Sequence, residues 1–290
     1  MSLPDHAHSA TAKSDPEIHN DHELIRQIAR SECYDWYLAA LLAPRQARSD
    51  LITLTAFAGE LDRIPRSVSE PMMGAIRLQW WRDALAAPQH AQTGNPLADA
   101  VRALANRQIL PAAHLTAMID AQEVELQTDP PEDDQALANH FNKQWGGLIS
   151  LWGHVLADRG EVLPAQLAFD AGTAYGLARL SLDLALGLRR GQILVPTSRL
   201  KWADLTAEVL ITQPNSEAAR ALRNDLAIEA RRALAACRSN QTKHSRNLRP
   251  ALFPLTIVEP YLRGSQGRPR APSEFKKSCR MLAAWMRGGI

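Results

Sequence analysis

The chain has 290 residues, 46% of them hydrophobic, enough for one large core or two small ones. Basic and acidic residues nearly balance, 33 against 31, which argues against a general nucleic-acid binder. Cys33, Cys237 and Cys279 form no C-x-x-C pair and no zinc-like spacing, so three reduced thiols in a cytosolic protein are expected.

Residues 1–20 are polar, with three histidines and almost no apolar periodicity, and read as a disordered tail. From residue 21 the pattern is helical almost throughout. Leu24, Ile25, Ile28, Cys33, Tyr34, Tyr37, Leu38, Leu41 and Leu42 recur at spacings of three and four, and Pro44 ends that run. Ser49 or Asp50 can cap a second helix carrying Leu51, Leu54, Phe57 and Leu61, which Pro65 is expected to stop. A third starts near Ser69-Glu70-Pro71 and carries Met72, Met73, Ile76, Trp80 and Leu85. Further helices are expected at 96–108, 112–127, 134–157 and 164–188, the last capped by Gly187. Beyond Pro196 a loop and a short helix lead to helices at 216–238, 250–263 and 272–287, with a flexible Gly264–Pro269 connection before the last. No alternating β-branched run argues for a sheet, and no composition shift divides residues 21–290, so one all-α domain is expected.

No apolar run reads as a signal peptide, and none reaches the ~18 residues that span a bilayer. A cytoplasmic protein with at most peripheral membrane contact is therefore expected. The usual nucleotide, zinc-protease and serine-hydrolase motifs are absent from the sequence.

Two stretches carry the chemistry. The first is Leu54-Thr55-Ala56-Phe57 running on to Asp62-Arg63-Ile64-Pro65-Arg66. The second is Gly172 to Asp183, followed by Arg189-Arg190-Gly191-Gln192-Ile193-Leu194-Val195-Pro196. Tyr34-x-x-Tyr37 and Leu41-x-x-Pro44 lie upstream of the first, and Trp81-Arg82-x-x-Leu85 lies between the two. Ala171, Gly172, Ala174, Gly176 and Ala178 form a narrow face that a second helix or a long apolar ligand can approach.

In this order and spacing the pieces resemble the squalene/phytoene synthase family. The resemblance implies an isoprenoid-synthase-like helical bundle with a central cavity that condenses two isoprenoid diphosphates head to head. Its members carry D-x-x-x-D motifs because residues four apart share one helix face. Two such carboxylates can share Mg²⁺ ions that hold a diphosphate and neutralise it as it leaves. Here Asp62 and Asp183 stand at acidic positions, but Arg66 and Gly187 stand four residues after them. Arg179 replaces a polar residue one turn before Asp183, and Gly59 replaces an arginine before Asp62. Acid pairs at Glu17/Asp21, Asp129/Asp133, Asp204/Glu208 and Asp225/Glu229 lie away from both motifs.

A non-catalytic branch of the same superfamily, the assembly factors for respiratory complex I, is similar to this chain at Phe57-x-x-Glu60-Leu61 and at Val68-Ser69-Glu70-x-x-x-Gly74-x-x-Arg77-x-Gln79-Trp80-Trp81. The resemblance therefore implies a pseudo-enzyme with Asp62 and Asp183 as remnants, no cofactor, and either a protein partner in respiratory-complex assembly or an apolar isoprenoid- or quinone-type ligand. The alternative is an active prenyltransferase. In that reading Asp62 and Asp183 hold Mg²⁺, while Arg45, Arg77, Arg82, Arg179, Arg189 and Arg190 bind the substrate diphosphate. Phe57, Gly172, Tyr175 and Gly176 are the expected cavity-lining residues in either case.

Overall fold

The computed structural model describes residues 15–88, 91–108, 110–127, 129–157, 161–190, 192–241, 246–263 and 271–290. Fourteen α-helices form among them: α1 Asp15–Glu32, α2 Tyr34–Leu42, α3 Arg48–Ser67, α4 Pro71–Ala86, α5 Pro96–Gln108, α6 Ala112–Leu126, α7 Asp134–Phe141, α8 Gly147–Leu156, α9 Ala165–Arg189, α10 Thr197–Trp202, α11 Ala207–Thr212, α12 Glu217–Gln241, α13 Val258–Arg263 and α14 Glu274–Arg287. A π-helical segment, Asn142–Gly146, joins α7 to α8, and a 3₁₀ segment, Arg246–Ile257, leads into α13. No strand forms among the described residues. None of the described helices is long and apolar enough to cross a membrane.

Several expected boundaries move. Residues 15–20, placed above in the polar tail, are the first turns of α1, because Asp15-Pro16-Glu17 is itself a helix-start sequence. Residues 1–14 and the expected connection at 264–269 lie outside the described residues. The first run breaks at Cys33, whose backbone (φ −140°, ψ 53°) leaves the helical region and separates α1 from α2. Pro65 does not stop α3 at once: it sits in the last turn, and the helix runs on two residues to Ser67. A proline there loses a single backbone hydrogen bond, and its ring is buried. Gly187 lies inside α9, and the helix closes instead at Arg190, whose N–H bonds the carbonyl of Gly187 at 2.9 Å.

Helix α3 is the central element, with Leu51, Leu54, Phe57 and Leu61 each fully buried. Burial of each such side chain contributes roughly 1.5–3 kcal/mol. Gly59 is where the α1–α2 junction crosses α3, since a Cβ there would lie 2.8 Å from the Cβ of Glu32. Helix α9 runs alongside α12 and packs against the π segment and α13. Between these elements Trp36, Trp145, Trp152 and Tyr175 form one aromatic cluster; Trp36 stacks with Trp145 at 6.3 Å, and Tyr175 meets Trp145 edge-on at 4.9 Å. A smaller cluster, with Leu184, Leu188, Val195 and Leu200, packs the end of α9 against the following short helices.

The small-residue face of α9 proves to be a helix contact. A Cβ on Gly172 would lie 2.5 Å from the backbone nitrogen of Gly146, and one on Gly176 would lie 2.2 Å from the Phe141 ring.

Candidate functional site

Asp62 faces inward from α3 and Arg179 reaches it from α9, 3.1 Å between Nη2 and Oδ2. Arg66, one turn beyond Asp62 on α3, donates to the same oxygen at 2.5 Å, and its Nε donates to the Asp62 carbonyl at 2.9 Å. The second carboxylate oxygen accepts from Gln144 Nε2 at 2.9 Å. The π segment makes this last contact possible. Its wider turn aims both Gln144 and Trp145 inward, and the Trp145 ring lies 4.8 Å beneath the Arg179 guanidinium.

These residues line a cavity of about 100 Å³, together with Glu125, Phe141, Gly176, Leu180, Asp183 and Arg190. Asp183, one turn beyond Arg179 on α9, is exposed at the cavity mouth and makes no hydrogen bond or ion pair among the described residues. Glu125 hydrogen-bonds His140 at 3.2 Å. Burial works against the charge of Arg179, but the carboxylates of Asp62 and Asp183 outweigh it and hold the guanidinium well above its ordinary value. The thiol of Cys33 nearby is pushed up by burial.

The electrostatic content is simple. Where two carboxylates four apart would each add a negative charge, α3 presents Asp62 with Arg66 and α9 presents Arg179 with Asp183. Each pair sums to zero. Mg²⁺ binds through several oxygen ligands, mostly carboxylates and waters. The Asp62 carboxylate already accepts from two guanidinium groups and an amide, both oxygens engaged. Among the described residues no group of three His, Cys, Asp or Glu converges on a point that could hold a metal. The residues present do not fit a Mg²⁺ cluster.

The structure scatters the other arginines suggested by the sequence. Arg179 and Arg190 line the cavity. Arg82 is clamped by Asp120 and Glu123 of α6, each at 2.7 Å, and lines a different groove. Arg77 is exposed and bonds Ser67, and Arg189 is exposed at the end of α9. Arg45 lies in a groove beside α14. Of the four expected cavity-lining residues only Gly176 does so. Phe57 is spent in the core against Trp81, Gly172 against Gly146, and Tyr175 in a hydrogen bond to Asp35.

Gln144 and Glu125 join the site without any sequence signal, since neither lies in a motif nor at a spacing that ties it to Asp62. The same holds for a buried network behind the site. Asp35 accepts from Tyr175 at 3.0 Å and from Tyr261 at 2.5 Å, and Lys277 of α14 pairs with it at 2.8 Å.

Comparison with known proteins agrees with this architecture. The squalene/phytoene synthase family model matches residues 29–277, and the chain belongs to that family. Among curated proteins it is similar to NADH dehydrogenase (ubiquinone) complex I, assembly factor 6, of Mus musculus, at 26% identity over 89% of this chain and 78% of that protein. The Homo sapiens protein of the same name is 23% identical over the same shares. Among solved structures it resembles a dehydrosqualene synthase in complex with ligand (TM-score 0.76, 15% identity, 94% of this chain and 97% of that one). It also resembles the squalene synthase HpnC from Alicyclobacillus acidocaldarius (TM-score 0.66, 17% identity, 97% and 98%). At these identities the structures speak for the fold alone.

Proposed function

We propose that this member of the squalene/phytoene synthase family acts without turning over prenyl diphosphates, as a binding protein in the assembly of respiratory complex I. The observation that carries the first half is the state of Asp62: its carboxylate is neutralised from inside the protein by Arg66 and Arg179. A catalytic site for diphosphate ionisation needs net negative ligands that recruit metal, and the metal then draws the leaving group. Here the protein's own cations occupy that position. They are fixed to the chain and cannot be exchanged with a substrate.

Size supports the same reading. Sites for drug-sized ligands run to about 300–1,000 Å³, whereas the cavity beside Asp62 is about 100 Å³. Two long prenyl chains need more than that, and Trp36, Trp145, Trp152 and Tyr175 fill the interior next to it. The second half rests on the curated relatives, whose names place them in complex I assembly.

Deletion of the gene in its own host tests the reading. The expected result is a drop in assembled complex I on native gels, restored equally by the wild-type chain and by Asp183→Asn. Unchanged complex I with loss of a prenyl-derived lipid would contradict it.

A further inference from the structure

Helix α14 has three distinct sides. Met281 and Ala284 enter the core, and Lys277 reaches Asp35 from the same side. A second side carries Phe275, Cys279, Leu282 and Met286, which share one helix stripe at spacings of four, three and four. These point to solvent, Phe275 at 78% and Met286 at 68% exposure, with Trp285 beside them at 52%. The third side carries Lys276, Arg280 and Arg287, and Glu274 is the helix's only acid. A surface helix normally buries one apolar stripe; this one exposes a second.

The end of α14 also walls a groove of about 520 Å³, formed with the α2–α3 turn and the 3₁₀ segment. Five arginines line it, Arg45, Arg48, Arg246, Arg249 and Arg287, and no Asp or Glu does. Met286 belongs to both groove and stripe, and Trp285, in the groove, lies beside the stripe, so the two form one continuous face.

The geometry points to this face as a docking surface for an anionic lipid bilayer. Guanidinium forks match phosphate oxygens; Arg48 Nε donates to the Ala43 carbonyl at 2.9 Å, and no Asp or Glu side chain lines the groove to offset the five positive charges. Beyond them lies an aromatic and aliphatic stripe flanked by Lys and Arg, the pattern of a helix lying in the headgroup boundary. Trp285 sits between the two, where an amphipathic ring meets the headgroups. An acidic protein patch seated in the groove would meet the arginines but leave Phe275, ten residues before Trp285, uncovered, whereas a bilayer surface meets both. The inference stands independently of the proposed function, because it uses no residue of the Asp62 site.

Sedimentation of the full chain with sucrose-loaded vesicles tests it. Vesicles of roughly one-third phosphatidylglycerol in phosphatidylcholine should bind the protein, pure phosphatidylcholine should not, and salt should weaken the binding. Each basic residue near such a surface is worth about fivefold, so Arg45→Gln, Arg246→Gln and Arg287→Gln together should lower binding about a hundredfold. Phe275→Ser with Met286→Ser should also weaken it. All five positions are exposed, so unchanged circular dichroism and urea midpoints are expected to show that folding is intact. Absence of binding to the anionic vesicles, or equal binding by the triple arginine variant, would overturn the proposal. Retention on an acidic polypeptide with no vesicle binding would assign the face to a protein partner and overturn it as well.

Discussion

Arg66 lies one helical turn beyond Asp62 and donates to its carboxylate at 2.5 Å, so α3 carries its own counterion inside the bundle. Arg179 completes the neutralisation from α9. Three groups of fixed charge then hold each other in place, and α3, α9 and the π segment are pinned together through them.

Removing the central charge should therefore be costly. Asp62→Asn leaves two guanidinium groups facing one another in a largely buried position, and a loss of roughly 3 kcal/mol is expected from breaking such a pair. Arg66→Met keeps Asp62 paired with Arg179 and should lose less, about 1–2 kcal/mol. Asp183→Asn, at an exposed position, should stay within about 0.5 kcal/mol of the wild type. Urea unfolding of the three variants gives the ranking. Equal midpoints for Asp62→Asn and Asp183→Asn would show that the ion-pair cluster does not hold the site together.

The narrow face of α9 makes a separate prediction. Gly172→Ala places a methyl group 2.5 Å from the backbone nitrogen of Gly146, and backbone cannot step aside as a flexible side chain can. Overpacking of this kind costs about 1–3 kcal/mol or more. Gly187→Ala, with its nearest new neighbour at 3.7 Å, should instead be tolerated and gain slightly from helix propensity. Thermal unfolding of both variants checks the contrast.

Those two glycines also show what was legible in the sequence. The order of the motifs and the apolar spacing suffice for an all-α bundle, because they are local features that repeat along the chain. The absence of acids at Arg66 and Gly187 is equally plain in one dimension. Other features needed the third dimension. Gln144 reaches Asp62 across 82 residues through a π turn that no residue pattern announces. Pro65 reads as a helix stop, and the stop does come, but two residues later at Ser67; the buried ring costs the backbone bond to Leu61 without ending the helix at once. Arg45 and Arg82 matched a diphosphate-binding expectation by residue type alone, and tertiary packing sent each to a different surface.

Buried acids give a pH dependence. Burial pushes the Cys237 thiol up to about 12 and raises Cys33 further in the same direction. A raised folded value means that the folded state holds the proton more tightly. This stabilisation is fully present below the unfolded thiol value of 9.0 and is lost as pH rises above it toward the folded values. At about pH 10 the loss should be on the order of 1 kcal/mol per thiol. Urea midpoints at neutral pH and at about pH 10 measure it, and Cys33→Ala with Cys237→Ala should flatten the dependence. In the native protein only the exposed Cys279 should react quickly with a thiol reagent. Rapid reaction of all three would contradict the buried placement.

The central claim is that Arg66 and Arg179 have replaced metal and substrate at Asp62. Its most direct test is to incubate the purified full-length chain with Mg²⁺ and radiolabelled farnesyl or geranylgeranyl diphosphate, then measure pyrophosphate release and head-to-head product. Neither is expected above the no-enzyme background, with or without Mg²⁺. Mg²⁺-dependent turnover at an ordinary enzymatic rate, on the order of 1 s⁻¹ or faster, would contradict it.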